Sequence, residues 1–433
     1  MFLLLIDVIV CLKPVILLPP LYGTNLHATY HNISLPWYCP KSMNDNLIWI
    51  DPKYLVPPLY NCILDLLHAF YNNETDKVEN LKGVDISIHD YGGDESVLYV
   101  DGGIFGFQFF DTYASMIQYF KSRGYKVGQN LFIAPYDWRM APVVIDSFSS
   151  QMKELIEKAV KINGEKVTIM GYSCGGYTLQ QFLTKKITEE WKHKYIEKIV
   201  LTVPSFGGSM DTFEVLFDHY SPLIPIHNSN MNTLIQSLPY VHSHLLNEEV
   251  YADIPVVRGP NGETYTAKDL PDLLLSHNKI AQSNLHVMQM GLELTKMGPA
   301  DINMPTAIIY NTGYPTRFTV NFKNGWDQEP FIETGEGDGT IPSKAAQWAC
   351  ENWDHKRYPK LCIDFDNHEE RFRHQPMTRN PFIHEFLFNM TSRSDWLNST
   401  GRTDVHMPYI QINSDDSYMI RDDIRPISIK HYN

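Results

Sequence analysis

Val167-Thr168-Ile169-Met170-Gly171-Tyr172-Ser173-Cys174-Gly175-Gly176 begins as an unbroken apolar run, breaks into Gly-x-Ser-x-Gly, and continues as Tyr177-Thr178-Leu179-Gln180-Gln181-Phe182-Leu183. The pattern is that of a buried strand, a sharp turn and a helix. A serine at such a turn is held in a strained backbone conformation with its hydroxyl pushed outward, and the flanking glycines let strand and helix approach closely. The five-residue pattern recurs by chance in chains of this length. The strand before it and the helix after it mark it as a nucleophile elbow with Ser173 as the candidate nucleophile.

Outward from the elbow, strand and helix patterns alternate. Towards the N-terminus, Asp146 to Ile162 carries apolar residues at helical intervals, Leu131-Phe132-Ile133-Ala134 is a strand, and Gly106 to Tyr125 has helical spacing. Further back, Lys13-Pro14-Val15-Ile16-Leu17-Leu18 is an apolar strand that ends in a Pro/Gly turn, able to aim a backbone N–H at a reaction site. Towards the C-terminus, Ile196 to Val203 is another buried strand, ending in Pro204-Ser205-Phe206-Gly207-Gly208-Ser209. This alternation predicts an α/β fold, a mostly parallel sheet with helices on both faces. The expected organisation is a signal peptide over 1–12, the first part of the core over 13–209 with a loop at 39–62, and an inserted cap over 210–304. The last part of the core follows over 305–388, then a polar C-terminal extension over 389–433.

A serine hydroxyl needs an imidazole to take its proton and a carboxylate to orient that imidazole. On this kind of core the chain order is Ser, acid, His. Gly337-Asp338-Gly339 holds a single acid between two glycines in the right order, either as the catalytic acid or as an ordinary turn aspartate. Of the histidines that follow, His368 lies in an acidic stretch, His384 inside a helical run, and His374 in the segment leading into that run, so His374 is the candidate base. His368-Glu369 and His374 are six apart where the zinc helix H-E-x-x-H needs four, so no metal is expected here, nor any other cofactor.

The 36 basic residues against 50 acidic ones give a net charge of −14, which excludes nucleic acid and electrostatically held anionic membrane as partners. A lipid partner must then be met through apolar surface. Phe2 to Leu12 is apolar but far shorter than the roughly 20 residues of a membrane-spanning helix, and reads as a signal-peptide core despite Asp7 and the lack of a preceding basic residue. Of the six cysteines, Cys11 falls in this leader; the rest predict pairs Cys39–Cys62 and Cys350–Cys362 with Cys174 free. Sequons at Asn32, Asn73, Asn389 and Asn398 point to the same compartment, secreted or lysosomal. Trp49 and Ile50, inside the Cys39–Cys62 loop, either meet a lipid surface or pack inward.

At these residues the chain resembles the lecithin:cholesterol acyltransferase and lysosomal phospholipase A family. The similar stretches are Pro14 to Pro19 with Gly23 and Leu26, the Cys39/Cys62 loop with Trp49, Ala134-Pro135-Tyr136-Asp137-Trp138-Arg139, the elbow, Phe206-Gly207-Gly208-Ser209, Gly337 to Pro342, and His374-Gln375-Pro376-Met377. They run in family order from Lys13 to Phe388. The resemblance implies an α/β-hydrolase core with an inserted cap and a disulfide-closed lid loop. It also implies Ser173 as nucleophile, Asp338 as acid, His374 as base, and an oxyanion hole from the amides of Leu21 and Cys174. The chain departs from the family pattern with Pro19-Pro20 where members commonly have Pro-Gly, and with Leu21 in place of an acid or amide. The implied reaction is acyl transfer from a phospholipid, at a membrane or lipoprotein surface, to a lipid alcohol or to water. The competing expectations are a catalytically silent lipid-binding protein on the same fold, or an esterase for small esters.

Overall fold

The computed structural model describes residues 12–99, 101, 111–141, 146–218, 229–296 and 298–392, together with 410–412, 417–420 and 427–429. The leader expected over residues 1–12 lies almost wholly outside the described residues, and so does Asn398.

Parallel strands form the spine of the molecule, in the order Leu131–Ile133, Val15–Leu18, Val167–Tyr172, Ile196–Thr202, Thr306–Tyr310 and Lys360–Asp364. Helices cover both faces, and each strand therefore feeds two cores. Ile16 and Leu18 pack into one cluster with Ile169 and Leu201, while Val15 and Leu17 pack into the other with Met170 and Val200. That is why these strands read as continuous apolar runs rather than as alternating ones. The elbow strand lies between Val15–Leu18 and Ile196–Thr202, so three neighbouring carboxyl ends open onto one edge of the sheet. The architecture is that of an α/β-hydrolase.

Beyond Ile196–Thr202 the helices Met210–Asp218, Ser229–Ser237, Leu270–Ser276 and Leu285–Lys296 make up a cap. The cap has its own sheet, ordered Thr264–Tyr265, Val257–Arg258, Thr316–Asn321 and Phe331–Gly335. Residues 316–335, expected to belong to the core, are drawn into it because Val257 and Arg258 pair in parallel with Val320 and Asn321. The C-terminal stretch is not only a polar extension. Its strands Ile410–Ile412, Ser417–Ile420 and Ile427–Ile429 lengthen the central sheet antiparallel beside Lys360–Asp364.

Disulfides join Cys39 to Cys62 and Cys350 to Cys362, and Cys174 is free and buried. Closing the first loop contributes roughly 3 kcal/mol on a chain-entropy account. That loop contains a strand, Ser42–Trp49, in an antiparallel sheet with Leu26–His31 and Val84–Ser87. Trp49 corrects one expectation. It is 5% exposed, its indole N–H donates to the Tyr22 carbonyl at 2.9 Å, and its ring lies 4.8 Å from that of Trp138, so it is a core residue and not a lipid contact. Ile50 is half-buried against the same core. What the loop exposes instead is Leu55-Val56-Pro57-Pro58, with Trp37, 93% exposed, just before Cys39.

Of the sequons, Asn32 and Asn73 are exposed. Asn389 sits half-buried in the helix Pro381–Ser392, and the hydroxyl of its partner Thr391 is buried and donates to the Leu387 carbonyl at 2.8 Å. This sequon is therefore folded away from solvent. No helix among the described residues is long and apolar enough to cross a membrane.

Candidate active site

Ser173 stands between the elbow strand and the helix Cys174–Lys185 at φ 55°, ψ −124°, a left-handed conformation that costs a non-glycine residue on the order of 1–3 kcal/mol. Two glycines make it possible. A Cβ on Gly171 would lie 2.6 Å from the Gly176 Cα, and one on Gly175 would lie 2.5 Å from the carbonyl oxygens of both Leu18 and Pro19. The second contact seats the start of the helix directly against the turn that carries Leu21.

His374 Nε2 is 2.8 Å from the Ser173 Oγ, and its Nδ1 is 2.6 Å from the Asp338 Oδ2. The three side chains are buried. Asp338 is fixed from the other side, because its Oδ1 accepts from the amides of Thr340 at 3.0 Å and Ile341 at 2.7 Å. His374 is held along its backbone as well. Its amide donates to the Asp338 carbonyl at 2.9 Å, and the Tyr172 hydroxyl donates to the His374 carbonyl at 2.6 Å. Burial pulls the imidazole pKa down, but the Asp338 carboxylate, with smaller help from Cys174 and Asp211, brings the net position above the usual histidine range. His368 is exposed, and His384 is buried with its Nε2 2.7 Å from the Thr378 carbonyl, so neither ring joins the constellation.

The amides of Leu21 and of Cys174, the residue after the serine, meet no acceptor among the described residues. The Leu21 turn is tied down by four aromatic side chains. The hydroxyls of Tyr113 and Tyr136 donate to the carbonyls of Leu18 (3.0 Å) and Pro19 (2.9 Å), and the indoles of Trp138 and Trp49 donate to those of Thr24 (3.2 Å) and Tyr22 (2.9 Å). Arg139, fully buried, pairs with Asp137 at 2.6 Å and reaches the Leu67 carbonyl and the Asn80 amide oxygen. The Tyr-Asp-Trp-Arg stretch is thus a brace for the turn and the loop.

Several contributors carry no sequence motif. Asn311, at the end of the strand Thr306–Tyr310, donates to the carbonyls of Asn367 and Phe372 and accepts the Asn367 amide, pinning the segment that delivers His374. Only its place after an apolar strand could have marked it. Beside the elbow, Cys174, Ser205 and His244 form a buried cluster, with the Ser205 Oγ 3.3 Å from the thiol and 3.1 Å from the His244 Nε2. Burial raises the thiol pKa, but His244 and the Ser205 hydroxyl bring it down to about 7. Asp211, half-buried in the cap's first turn, is pushed up to about 6 by burial despite the neighbouring Arg317.

Residues 45–270, just over half of the chain, match the family described as lecithin:cholesterol acyltransferase. The chain belongs to the lecithin:cholesterol acyltransferase family. Among curated relatives, the lysosomal phospholipase A and acyltransferase of Bos taurus is 26% identical over 350 residues, 78% of this chain and 83% of that one. The Homo sapiens protein of the same name is 26% identical over 365 residues, 81% and 84%. The phosphatidylcholine-sterol acyltransferase of Mus musculus is 25% identical over 346 residues, 79% and 77%. The family match begins inside the disulfide-closed loop and runs through the elbow and the first two of the cap helices, Met210–Asp218 and Ser229–Ser237. Ser173 lies within it, whereas Asp338 and His374 lie beyond it.

Proposed function

We propose that this protein is a serine-dependent enzyme that takes a fatty acyl group from a phospholipid and passes it to a lipid hydroxyl or to water. The observation that carries the reading is the hydrogen-bonded series Ser173–His374–Asp338 in a chain of this family. His374 accepts the Ser173 proton as Oγ bonds to the acyl carbonyl carbon. The amides of Leu21 and Cys174 receive the developing oxyanion. The ester C–O bond then breaks, and His374 returns the proton to the departing lysophospholipid oxygen. In the second half-reaction His374 deprotonates the acceptor hydroxyl or water, whose oxygen bonds to the acyl carbon as the bond to Ser173 Oγ breaks, and the proton passes from His374 to Oγ. Two disulfides and the exposed sequons at Asn32 and Asn73 support a secretory-pathway protein.

Phosphatidylcholine vesicles, with and without a lipid alcohol, test the reading by product analysis. Release of lysophospholipid together with free fatty acid or acylated alcohol is the expected result. Phospholipid left intact while soluble esters are cleaved would favour the small-ester esterase.

An acidic chain has to meet such vesicles through apolar side chains, and Leu55-Val56-Pro57-Pro58 is the exposed apolar run of the disulfide loop. Leu55→Asp with Val56→Asp is expected to lower vesicle activity roughly tenfold or more, since burying one aliphatic side chain contributes about 1.5–3 kcal/mol. Cleavage of a dispersed short-chain ester should stay close to wild type. Trp49→Ala, by contrast, should lower both rates together, because it empties a core position beside the Leu21 turn. Measuring both substrates on one preparation decides between docking and core roles.

His374 acts as a base only when neutral, so kcat/KM falls as pH drops through its raised pKa. The Asp211 carboxylate favours the imidazolium, and it is ionised above about pH 6. Asp211→Asn is therefore expected to move the acid limb of the kcat/KM profile to lower pH. A limb that stays in place would exclude this electrostatic link.

A further inference from the structure

We propose that His27, Asp45 and His89 form a binding site for a divalent transition-metal ion of the zinc class. The site lies outside the catalytic centre, and the ion clips the disulfide-closed loop to the neighbouring strands. His89 Nε2 is 2.7 Å from the Asp45 Oδ1; His27 Nδ1 is 4.0 Å from the same oxygen and donates to the Asp45 carbonyl at 3.1 Å, a bond and proton it gives up when it binds an ion. The two imidazoles are stacked with centroids 3.9 Å apart, and one donor atom from each of the three residues lies within 4.8 Å of the others. Zinc bound to nitrogen and carboxylate oxygen at about 2.0–2.2 Å holds its ligand atoms roughly 3.3–3.5 Å apart in a tetrahedron. The 2.7 and 4.0 Å separations lie on either side of that range, so seating an ion requires the side chains to rotate.

The backbone converges these groups by design of register. His27 pairs across from Ser87, the last residue of its strand, and His89 follows two residues beyond, where its ring stacks on that of His27. Asp45 reaches the two rings through an irregularity in the ladder. Pairing of Leu26–His31 with Ser42–Trp49 shifts between Ala28 and Tyr30, and Asp45 stands at φ 57°. Its amide donates to the Thr29 Oγ1 at 2.9 Å, and the Ser87 hydroxyl donates to its Oδ1 at 3.2 Å, which is the kind of outer hydrogen bonding that orients a carboxylate ligand.

A simple ion pair needs one imidazole. Two imidazolium rings stacked at this distance would repel each other, whereas two neutral imidazoles and a carboxylate are a donor set that zinc accepts, with a fourth position left to solvent. His27 and His89 are half-buried and Asp45 is exposed, so the open position faces water. Asp45 lies inside the Cys39–Cys62 loop, and His27 and His89 lie outside it. A bound ion therefore fastens the loop at a second point besides the disulfide.

The full-length protein, stripped of metal with a chelator, is titrated with zinc chloride by equilibrium dialysis at neutral pH. One zinc ion per chain is expected. His27→Ala, His89→Ala and Asp45→Asn should each weaken it by more than the roughly 10–100-fold that outer-shell changes cost. His89→Gln keeps a donor for Asp45 while removing the imidazole, so it should lose zinc with the fold intact. His374→Ala should bind as wild type, which separates this site from the catalytic histidine. Zinc should also slow amide exchange across residues 42–49 in wild type and not in His89→Gln. No stoichiometric zinc in wild type, or undiminished binding in His27→Ala and His89→Gln, would overturn the proposal.

Discussion

Ser173→Ala is expected to lower kcat on phospholipid by about 10⁴–10⁶, the range seen when the nucleophile of a serine triad is removed. The fold should survive. The Ser173 hydroxyl is bonded to the His374 Nε2, while the strained φ is set by Gly171, Gly175 and the Thr202 carbonyl that accepts the Ser173 amide. Alanine meets the same backbone restriction as serine, so melting temperature should change little. Activity within about tenfold of wild type would remove Ser173 from the nucleophile role, since triad members cost decades. His374→Ala should cost a comparable amount. His368→Ala should be silent, and His384→Ala should touch stability more than turnover, because that ring is buried against the Thr378 carbonyl.

Asp338→Asn is expected to lower kcat by about 10⁴ with the site geometry retained. The reason lies in how the carboxylate is divided between its two sides. One oxygen accepts from the amides of Thr340 and Ile341, and the other faces His374 Nδ1. An asparagine must keep its carbonyl towards the two amides, so its NH₂ is turned to the imidazole. His374 Nδ1 then becomes an acceptor and Nε2 carries the proton, facing a serine hydroxyl that it can no longer deprotonate. The substituted enzyme should melt close to wild type. A loss of less than about tenfold, far short of the 10⁴ typical of this change, would mean that another group orients the base.

The parts of this molecule that could be read from its residues are those built from local pattern. A six-residue apolar strand, a glycine-flanked serine and a helix identify an elbow without neighbours, and chain order then narrows the acid and the base. What could not be read depends on which surfaces meet. Trp49 has the same sequence surroundings whether it faces lipid or core. Its burial follows from Tyr22 and Trp138, which are 27 and 89 residues away in order of the chain. The hairpin 316–335 looks like core sequence because its pairing partners, Val257 and Arg258, are remote. Asn311 has no motif at all, and its importance appears only when the segment ending at His374 folds across it. His27, Asp45 and His89 fit no metal-binding spacing, since a β-sheet brings ligands together by register rather than by interval.

The indole of Trp49 belongs to the loop that exposes Leu55 and Val56, yet its hydrogen bond ends on the carbonyl of Tyr22, the residue after Leu21. One donor thus ties the loop carrying the exposed apolar run to the turn proposed to receive the oxyanion. A loop displaced on adsorption pulls on that tie, while Tyr113 and Tyr136 hold the other end of the turn as a fulcrum. Loop and turn are thereby joined through a single peptide carbonyl, at a point where none of Ser173, His374 and Asp338 is a hydrogen-bond partner.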